Sequence, residues 1–223
     1  NLWSDNSCDE RIFSSHITTT FYKDYKHGNN NDVEKIDLGD YFVVNDVLVN
    51  GISAQDIRKE QTFYEMDVPG VIVGQKKHSF FLGKYNKMNR EKREIKYVNK
   101  IRLSGAYFIL AEAYCMNPKV NDKEAVKVIN TYLSQRNADL LDDNLSGNSL
   151  MQSILLEKWK EFVGEGVRYI DVTRYRKTLL TDWSSKEKRE TEIKKDDYRW
   201  TFPIPESEYI NNEHIVQNKG WAV

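Results

Sequence analysis

The sequence predicts a mainly α-helical protein with long irregular loops and a few short strands. Apolar residues recur every three or four positions in residues 99–116, 122–133 and 149–162, which is the spacing of helices with one buried face. The first hundred residues instead alternate short Ile-, Phe- and Thr-rich runs with polar turns. Pro203 and Pro205 favour an extended backbone near the end of the chain.

Composition excludes several classes of protein. Hydrophobic residues make up 39% of the chain and charged residues 30%, which is typical of a globular protein. A net charge of −1 gives no general attraction to nucleic acid or to an anionic membrane. The longest uncharged apolar run, residues 106–111, is too short to span a bilayer. Because the sequence has neither an initial Met nor a signal peptide, we expect it to begin inside a longer protein or after processing.

The N-terminal part is expected to form short, irregular elements. Residues 10–20 predict a strand, and residues 40–49 predict a strand or a short helix that ends in an Asn-Gly turn. Residues 67–74 predict a turn followed by a short strand. An apolar run at residues 80–85 leads into a basic segment. A disulfide between Cys8 and Cys115 is one alternative; the other, favoured by the position of Cys115 on a helix, is that Cys115 is a buried apolar residue.

A helical hairpin is predicted next. Asn99 is the expected N-cap of its first helix and Asp122 that of its second, and Asn117-Pro118 ends the first. The second helix presents Val126, Ile129 and Leu133 on one side. The expected buried stripe of the first helix consists of Leu103, Tyr107, Leu110, Ala111 and Tyr114. The short connection predicts antiparallel packing of the two helices.

The C-terminal helices are the most regular part of the pattern. Ser149 and Gln152 have the spacing of a capping box, and Gly164 and Gly166 are expected to end the helix that follows. Its predicted apolar face consists of Met151, Ile154, Leu155, Trp159 and Phe162. Lys158, Lys160 and Glu161 are expected to face elsewhere. A second, short helix is predicted to turn Val167, Ile170 and Tyr175 inward and to carry a charge ladder of Arg168, Asp171 and Arg174.

The sequence gives little support for catalysis or for metal binding. Glu157, Glu161 and Glu165 are four residues apart, and a glycosidase needs two carboxylates on opposite sides of its substrate. Side chains on one helix face point side by side, so we expect these carboxylates to be caps and ion-pair partners. The scattered histidines predict no metal site, and no cofactor motif is present. The basic segment 84–102 is interpreted as a solvated hinge, with a nucleic-acid patch as the alternative.

Aromatic residues, 12% of the chain, are the candidate ligand contacts. A flat ring offers an apolar face to a sugar, while neighbouring polar groups hydrogen-bond its hydroxyls. The candidate binding residues lie in or beside irregular segments: Trp3, Tyr22, Tyr25, Tyr41 and Tyr64. For each of them, packing beneath its own loop is the alternative. Other rings fall on helical stripes and are expected in the core: Tyr107, Tyr114, Trp159 and Phe162.

Three segments resemble conserved segments of the SusD/RagB family, and they occur in the same order along the chain. The run EKWKEFVGEGVRYIDVTR (157–174) is similar to the family's E-R-x-x-E-F-x-G-E-G-x-R-W-F-D-L-x-R signature, with Lys158 where Arg is usual. IRLSGAYFILAEA (101–113) resembles its "RLAEVYLIYAEA" helix, and FPIPESE with QNKGW resembles its closing P-I-P-x-x-E and Q-N-x-G-Y/W. Glu10 to Phe13 and Gln55 to Arg58 resemble its E-x-I-F and D-x-R elements.

The resemblance implies a fold and a function. It implies a single SusD-like C-terminal domain over residues 1–223, packed on a tetratricopeptide-type helical hairpin. Its parts would be an irregular region (1–98), a helical region (99–181), and a charged insertion with an extended tail (182–223).

The implied role is non-catalytic, cofactor-free capture of oligosaccharides, or of peptides in some members, at the outward face of the outer membrane. The protein would be lipid-anchored and would deliver its ligand to a TonB-dependent transporter. A purely structural lid and, more remotely, a glycoside hydrolase are the alternatives.

Overall fold

Six α-helices and seven short strands make up the regular structure of the described residues. The computed structural model describes residues 8–16, 43–44, 46–69, 76–82, 84, 97–117, 121–175, 179–182, 190–193, 196–209, 212 and 214–221. The helices are α1 (Asp46–Asn50), α2 (Ile57–Thr62), α3 (Leu103–Met116), α4 (Asp122–Ser134), α5 (Gly147–Phe162) and α6 (Val167–Tyr175). The strands are β1 (Arg11–His16), β2 (Val43–Val44), β3 (Phe63–Pro69), β4 (Lys76–Leu82), β5 (Tyr97–Arg102), β6 (Leu179–Asp182) and β7 (Glu190–Ile193). The predicted fold class, mainly helical with a few short strands, is confirmed.

The chain divides into two units, Asn1–Glu161 and Phe162–Val223. In the first unit, β1 pairs antiparallel with β5, and a three-stranded antiparallel sheet has the order β2-β4-β3. The predicted strand at residues 10–20 is therefore present at Arg11–His16. The described part of residues 40–49 supplies both of the predicted alternatives, a strand in β2 and a short helix in α1. Asp67, Val68 and Pro69, predicted as a turn, instead continue β3 and pair with β4.

Helices α3 and α4 form the predicted antiparallel hairpin. Tyr132 near the end of α4 packs edge-on against Phe108 in α3, with ring centroids 5.0 Å apart. At the other end, the Asn121 backbone N–H donates to the Tyr114 carbonyl. The core of this unit includes Phe108, the predicted α4 stripe and residues of α5: Val126, Ile129, Leu133, Leu150, Ile154 and Leu155.

Several predicted helix boundaries were wrong by a few residues. Asn99 lies within β5 and Arg102 is the N-cap of α3, because pairing with β1 extends the strand to the start of that helix. Asn121 caps α4, and its side chain accepts from the Glu124 backbone N–H at 3.3 Å. α5 begins at Gly147, so Ser149 is already helical and the predicted capping box is absent.

The stripe predicted for α3 was partly wrong. Ala111 is buried, but Leu103 and Leu110 are 41% and 46% exposed, and Tyr107 and Tyr114 are half-buried. The residues of α3 that are buried include Phe108 and, unexpectedly, Ser104 and Glu112. The helix is apolar on nearly every side, so periodicity alone did not identify the inner face.

In the second unit, the glycine break after α5 is confirmed. Gly164 and Gly166 have φ values of 77° and 78°, a region that glycine enters without steric penalty. α6 then buries Asp171 and Val172, whereas Ile170, predicted to face inward, is 61% exposed. Asp171 and Arg174 form the expected ion pair at 3.6 Å. Two 3₁₀ turns, Tyr198–Trp200 and Glu206–Glu208, lie in the extended tail.

Gly220 is the tightest approach in the tail. Its φ is 95°, and a Cβ built there would lie 2.4 Å from Cγ of Tyr198, whose ring meets Trp221 edge-on. We expect Gly220→Ala to lower the free energy of unfolding by about 1–3 kcal/mol, because both the backbone and the ring must move. Urea unfolding measures the change. Gly147→Ala is the control: φ is 55°, but no atom lies within 4 Å of its added Cβ, so a loss as large as that of Gly220→Ala would contradict the steric explanation.

Candidate functional site

Two of the three sequence candidates for catalysis, Glu157 and Glu161, lie on α5 and are buried in ion pairs, as expected. The third, Glu165, follows α5 in the glycine-containing turn and is half-buried. Glu157 and Glu161 are 6% and 7% exposed, and Lys158 is 8% exposed. The expectation that Lys158 and Glu161 face away from the core was therefore wrong. Charged side chains are usually exposed, but each of these reaches an opposite charge on another element.

Glu161 is the centre of the larger cluster. Arg102 Nη1 donates to Glu161 Oε1 at 2.6 Å, Tyr132 Oη donates to Oε2 at 2.5 Å, and Ser104 Oγ lies 3.1 Å from Oε1. Lys84 Nζ donates to the Glu161 backbone carbonyl at 2.5 Å. Side chains of β5, α3 and α4 thus surround the Glu161 carboxylate, and Lys84, which follows β4, binds the backbone of the same residue.

Glu10 extends the same cluster towards β1. Its Oε1 accepts from Arg102 at 2.7 Å and from Ser104, and its Oε2 accepts from Arg136 at 2.7 Å. Arg102 and Lys84 are the two ends of the basic segment that was interpreted as a solvated hinge. That interpretation was wrong for both residues, which are 4% and 5% exposed.

The electrostatic surroundings keep Glu161 ionised. Burial alone would raise its pKa, but the charges of Arg102 and Lys84 and the Tyr132 hydroxyl lower the pKa from 4.5 to about 2. Burial and the Glu161 charge raise the pKa of Tyr132 well above its usual range. A carboxylate with these partners cannot donate a proton near neutral pH, so Glu161 does not fit the general acid of a glycosidase.

Two further buried pairs fix α5. Arg58 binds Asp56 Oδ2 at 2.6 Å and Glu157 Oε2 at 2.7 Å, and Asp56 also caps α2 by accepting from the Arg58 backbone N–H at 2.9 Å. Burial would lower the pKa of Arg58, but the hydrogen bond to Asp56 and the neighbouring charges raise it. Lys158 binds Glu112 of α3 at 2.8 Å. Lysine at this position thus serves a single-point ion pair.

The candidate ligand site lies in the first unit, beside Tyr64. A cavity of about 360 Å³ is lined there by α1, α2, β3 and β4 and includes Val49, Lys59, Glu60, Tyr64, Glu65 and Phe80. Tyr64 pairs with Phe81 across the β3–β4 register, and their rings stack with centroids 5.4 Å apart. Phe81 is 1% exposed, so the Tyr64 ring rests on a rigid base.

Charged groups border the same cavity. Lys59 donates from Nζ to the Ile52 carbonyl at 3.4 Å, and Glu60 and Glu65 add carboxylates. A concave site with an aromatic wall and a few polar groups is the general form of a small-molecule site, and 360 Å³ is at the lower end of the usual size range. The sequence pointed to Tyr64 but not to Lys59 or Phe80, because residues of these different elements line one cavity only after folding.

Trp3, Tyr22, Tyr25 and Tyr41 lie outside the described residues. Trp159, predicted to be core, is half-buried, whereas Phe162 is buried as expected. Cys8 and Cys115 are both free, and burial raises the pKa of the Cys115 thiol to about 11.

Within the described part of the chain, no three His, Cys, Asp or Glu side chains are grouped in a way that could hold a metal ion. Among the helices that the structure describes, none is long and apolar enough to cross a bilayer.

Comparison with known proteins identifies the class. The family model described as "SusD family" matches residues 3–221, which is nearly the whole chain. No curated protein matches significantly. The fold, with its paired carboxylates on α5 and its helical hairpin, is thus that of a SusD-type protein. The chain belongs to the SusD family.

Solved structures share this fold at low sequence identity. Surface glycan-binding protein A from Bacteroides uniformis has a TM-score of 0.67 and 19% identity, and the match covers 95% of this chain and 49% of that one. A SusD superfamily protein from Parabacteroides distasonis has a TM-score of 0.66 and 14% identity, covering 95% and 50%. A SusD-like carbohydrate-binding protein from Bacteroides vulgatus has a TM-score of 0.60 and 22% identity, covering 86% and 42%. The chain spans half or less of the length of these three proteins.

Proposed function

We propose that this chain is the saccharide-binding part of a non-catalytic nutrient-capture protein at the cell surface. The observation that carries the proposal is the Tyr64 cavity, in which an aromatic ring on a rigid base borders a concave space with charged groups. Two of the structural neighbours are named as a glycan-binding and a carbohydrate-binding protein, which supports saccharide as the ligand class.

The shape of the cavity favours recognition of a short saccharide segment. The Tyr64 ring supplies an apolar face for the C–H groups of a pyranose, and Lys59, Glu60 and Glu65 can hydrogen-bond its hydroxyls. Because the stacked Phe81 already holds the Tyr64 ring, little conformational entropy is lost when a ligand binds. Trp3, Tyr22, Tyr25 and Tyr41 remain proposed ligand contacts from the sequence.

The burial of the α5 carboxylates supports a protein that binds without turnover. Glu157 and Glu161 are both engaged by cations, and neither borders the Tyr64 cavity. Delivery of the ligand to a TonB-dependent outer-membrane transporter, lipid anchoring and an outward-facing location are the roles that family membership suggests.

Titration calorimetry with maltohexaose, cellohexaose, xylohexaose and mannohexaose tests the proposal. We expect at least one of them to bind, and we expect Tyr64→Ala to weaken that binding about tenfold, since truncating a central aromatic contact removes more than about 1 kcal/mol. Tyr64→Phe, which keeps the ring, is the matched control and should bind within about threefold of the wild type.

Two outcomes would contradict this proposal. If no hexasaccharide binds but peptides do, the ligand class is wrong. If a transporter co-purifies with the protein and neither class of ligand binds, the chain is a structural lid.

A further inference from the structure

The second unit carries an exposed aromatic surface that the Tyr64 cavity does not include. The rings of Tyr169 in α6 and Phe202 in the tail stack with centroids 5.1 Å apart and an interplanar angle of 25°. Phe202 is 67% exposed and Tyr169 is 44% exposed. One face of the Phe202 ring therefore rests on Tyr169 while much of the residue is open to solvent. We call this pair of rings the Phe202 platform.

Side chains on both sides hold the backbone beneath the platform in place. Tyr169 Oη, Trp221 Nε1 and Asn218 Nδ2 donate to the carbonyls of residues 200, 201 and 202, at 3.2, 2.7 and 2.8 Å. The Gln217 side chain brackets residue 204, accepting from its N–H at 2.8 Å and donating to its carbonyl at 3.1 Å. Four side chains thus fix an extended segment that has few bonds of its own. A ring presented this way is already ordered before any ligand arrives.

Polar groups that suit hydroxyl recognition lie on the adjacent 3₁₀ turn. Arg199 donates from Nε to Asp197 Oδ1 and from Nη2 to Oδ2, both at 2.8 Å. The hydrogen bonds from Arg199 lower the pKa of Asp197 to about 2, so the pair stays charged at neutral pH. The Arg199 side chain is 34% exposed, and it lies only three residues from Phe202.

We propose that the Phe202 platform binds the apolar face of a pyranose ring and forms a second saccharide-binding surface of this chain. The proposal rests on the proposed function and extends it to the second unit. A stacked, pre-ordered ring, with a planar charged pair three to five residues away in the chain, offers the two kinds of contact that a sugar requires, an apolar face and directional hydrogen bonds. A flat exposed surface suits a longer glycan that passes over it, whereas the Tyr64 cavity suits a short segment.

The test is hydrogen–deuterium exchange and calorimetry with the same four hexasaccharides. Saturation of wild-type protein with a hexasaccharide that binds should slow amide exchange in residues 198–204. Phe202→Ala should abolish that protection. It should also weaken the affinity of the hexasaccharide for the Phe202 platform about tenfold. Phe202→Trp keeps a flat ring and should preserve protection. Val216→Ala, which removes another exposed apolar side chain (84%), should behave as wild type.

The outcomes separate this inference from the proposed function. Unchanged exchange in residues 198–204, together with binding that Tyr64→Ala weakens, would overturn the platform and leave the proposed function standing. Failure of all four hexasaccharides to bind the wild type would contradict the proposed function itself. If sedimentation showed that Phe202→Ala turns a dimer into a monomer without affecting saccharide binding, the platform would be a protein contact and the inference would be wrong. Circular dichroism of each variant confirms that it is folded.

Discussion

Replacing Glu161 by Gln is expected to lower the free energy of unfolding by about 3–5 kcal/mol, the usual effect of removing one partner from a buried ion pair. The amide cannot satisfy Arg102, Tyr132 and Ser104 together. The substitution also removes one of the carboxylates that pair with Arg102, whose side chain is buried. Urea unfolding followed by circular dichroism measures the change.

Glu124→Gln is the matched control for this prediction. Glu124 is also a helical glutamate with a cationic partner, but its pair with Lys127 is 3.8 Å long and exposed. Such pairs contribute about 0–1 kcal/mol, so this variant should be nearly as stable as the wild type. Equal and small effects of the two substitutions would show that the Glu161 cluster is not part of the stable core.

Acid is expected to destabilise the protein through the same carboxylate. The pKa of Glu161 is about 2 in the folded protein and 4.5 without these interactions. Its contribution to stability is therefore fully present above about pH 4.5 and is lost as the pH falls towards 2. At about 1.4 kcal/mol for each pH unit between the two pKa values, the loss is about 3 kcal/mol.

Comparing wild type and Glu161→Gln across pH isolates this contribution from those of other carboxylates. The difference in free energy of unfolding between the two proteins should be constant between pH 5 and 7 and should shrink below about pH 4.5. A difference that stays constant down to pH 2 would mean that Glu161 does not titrate below its ordinary range, in conflict with its cation contacts.

Local signals in the sequence were sufficient for the helices and for the glycine break. The stripe of Val126, Ile129 and Leu133 is buried as predicted, because α4 has one polar and one apolar side. Gly164 and Gly166 end α5 because the chain there requires positive φ. These features depend on residues only a few positions apart, so the sequence alone predicts them well.

Contacts between distant residues could not be read from the sequence. Glu161 and Arg102 are 59 positions apart, and Arg58 and Glu157 are 99 apart. The sequence predicted ion-pair roles for the carboxylates of α5, but it could not identify partners on other elements or show that the pairs are buried. The clearest missed signal was Glu112, a lone acidic residue inside an apolar helix, which called for a buried cation such as Lys158.

The candidate site was predictable only in part. Tyr64 was identified as an aromatic residue beside an irregular segment, but its cavity is formed by four elements that no short pattern connects. The Phe202 platform was not predicted, since a ring beside two prolines gives no indication of exposure or stacking. Side-chain hydrogen bonds to carbonyls 200–202 become visible only in the folded tail.

The most direct test of the account is the fate of a saccharide that the protein binds. In this protein, we infer, the carboxylates of α5 stabilise the scaffold while aromatic surfaces elsewhere bind the ligand. After long incubation with wild-type protein, mass spectrometry should recover the hexasaccharide intact. Cleavage by the wild type that disappears in folded Glu161→Gln or Glu157→Gln protein would contradict it.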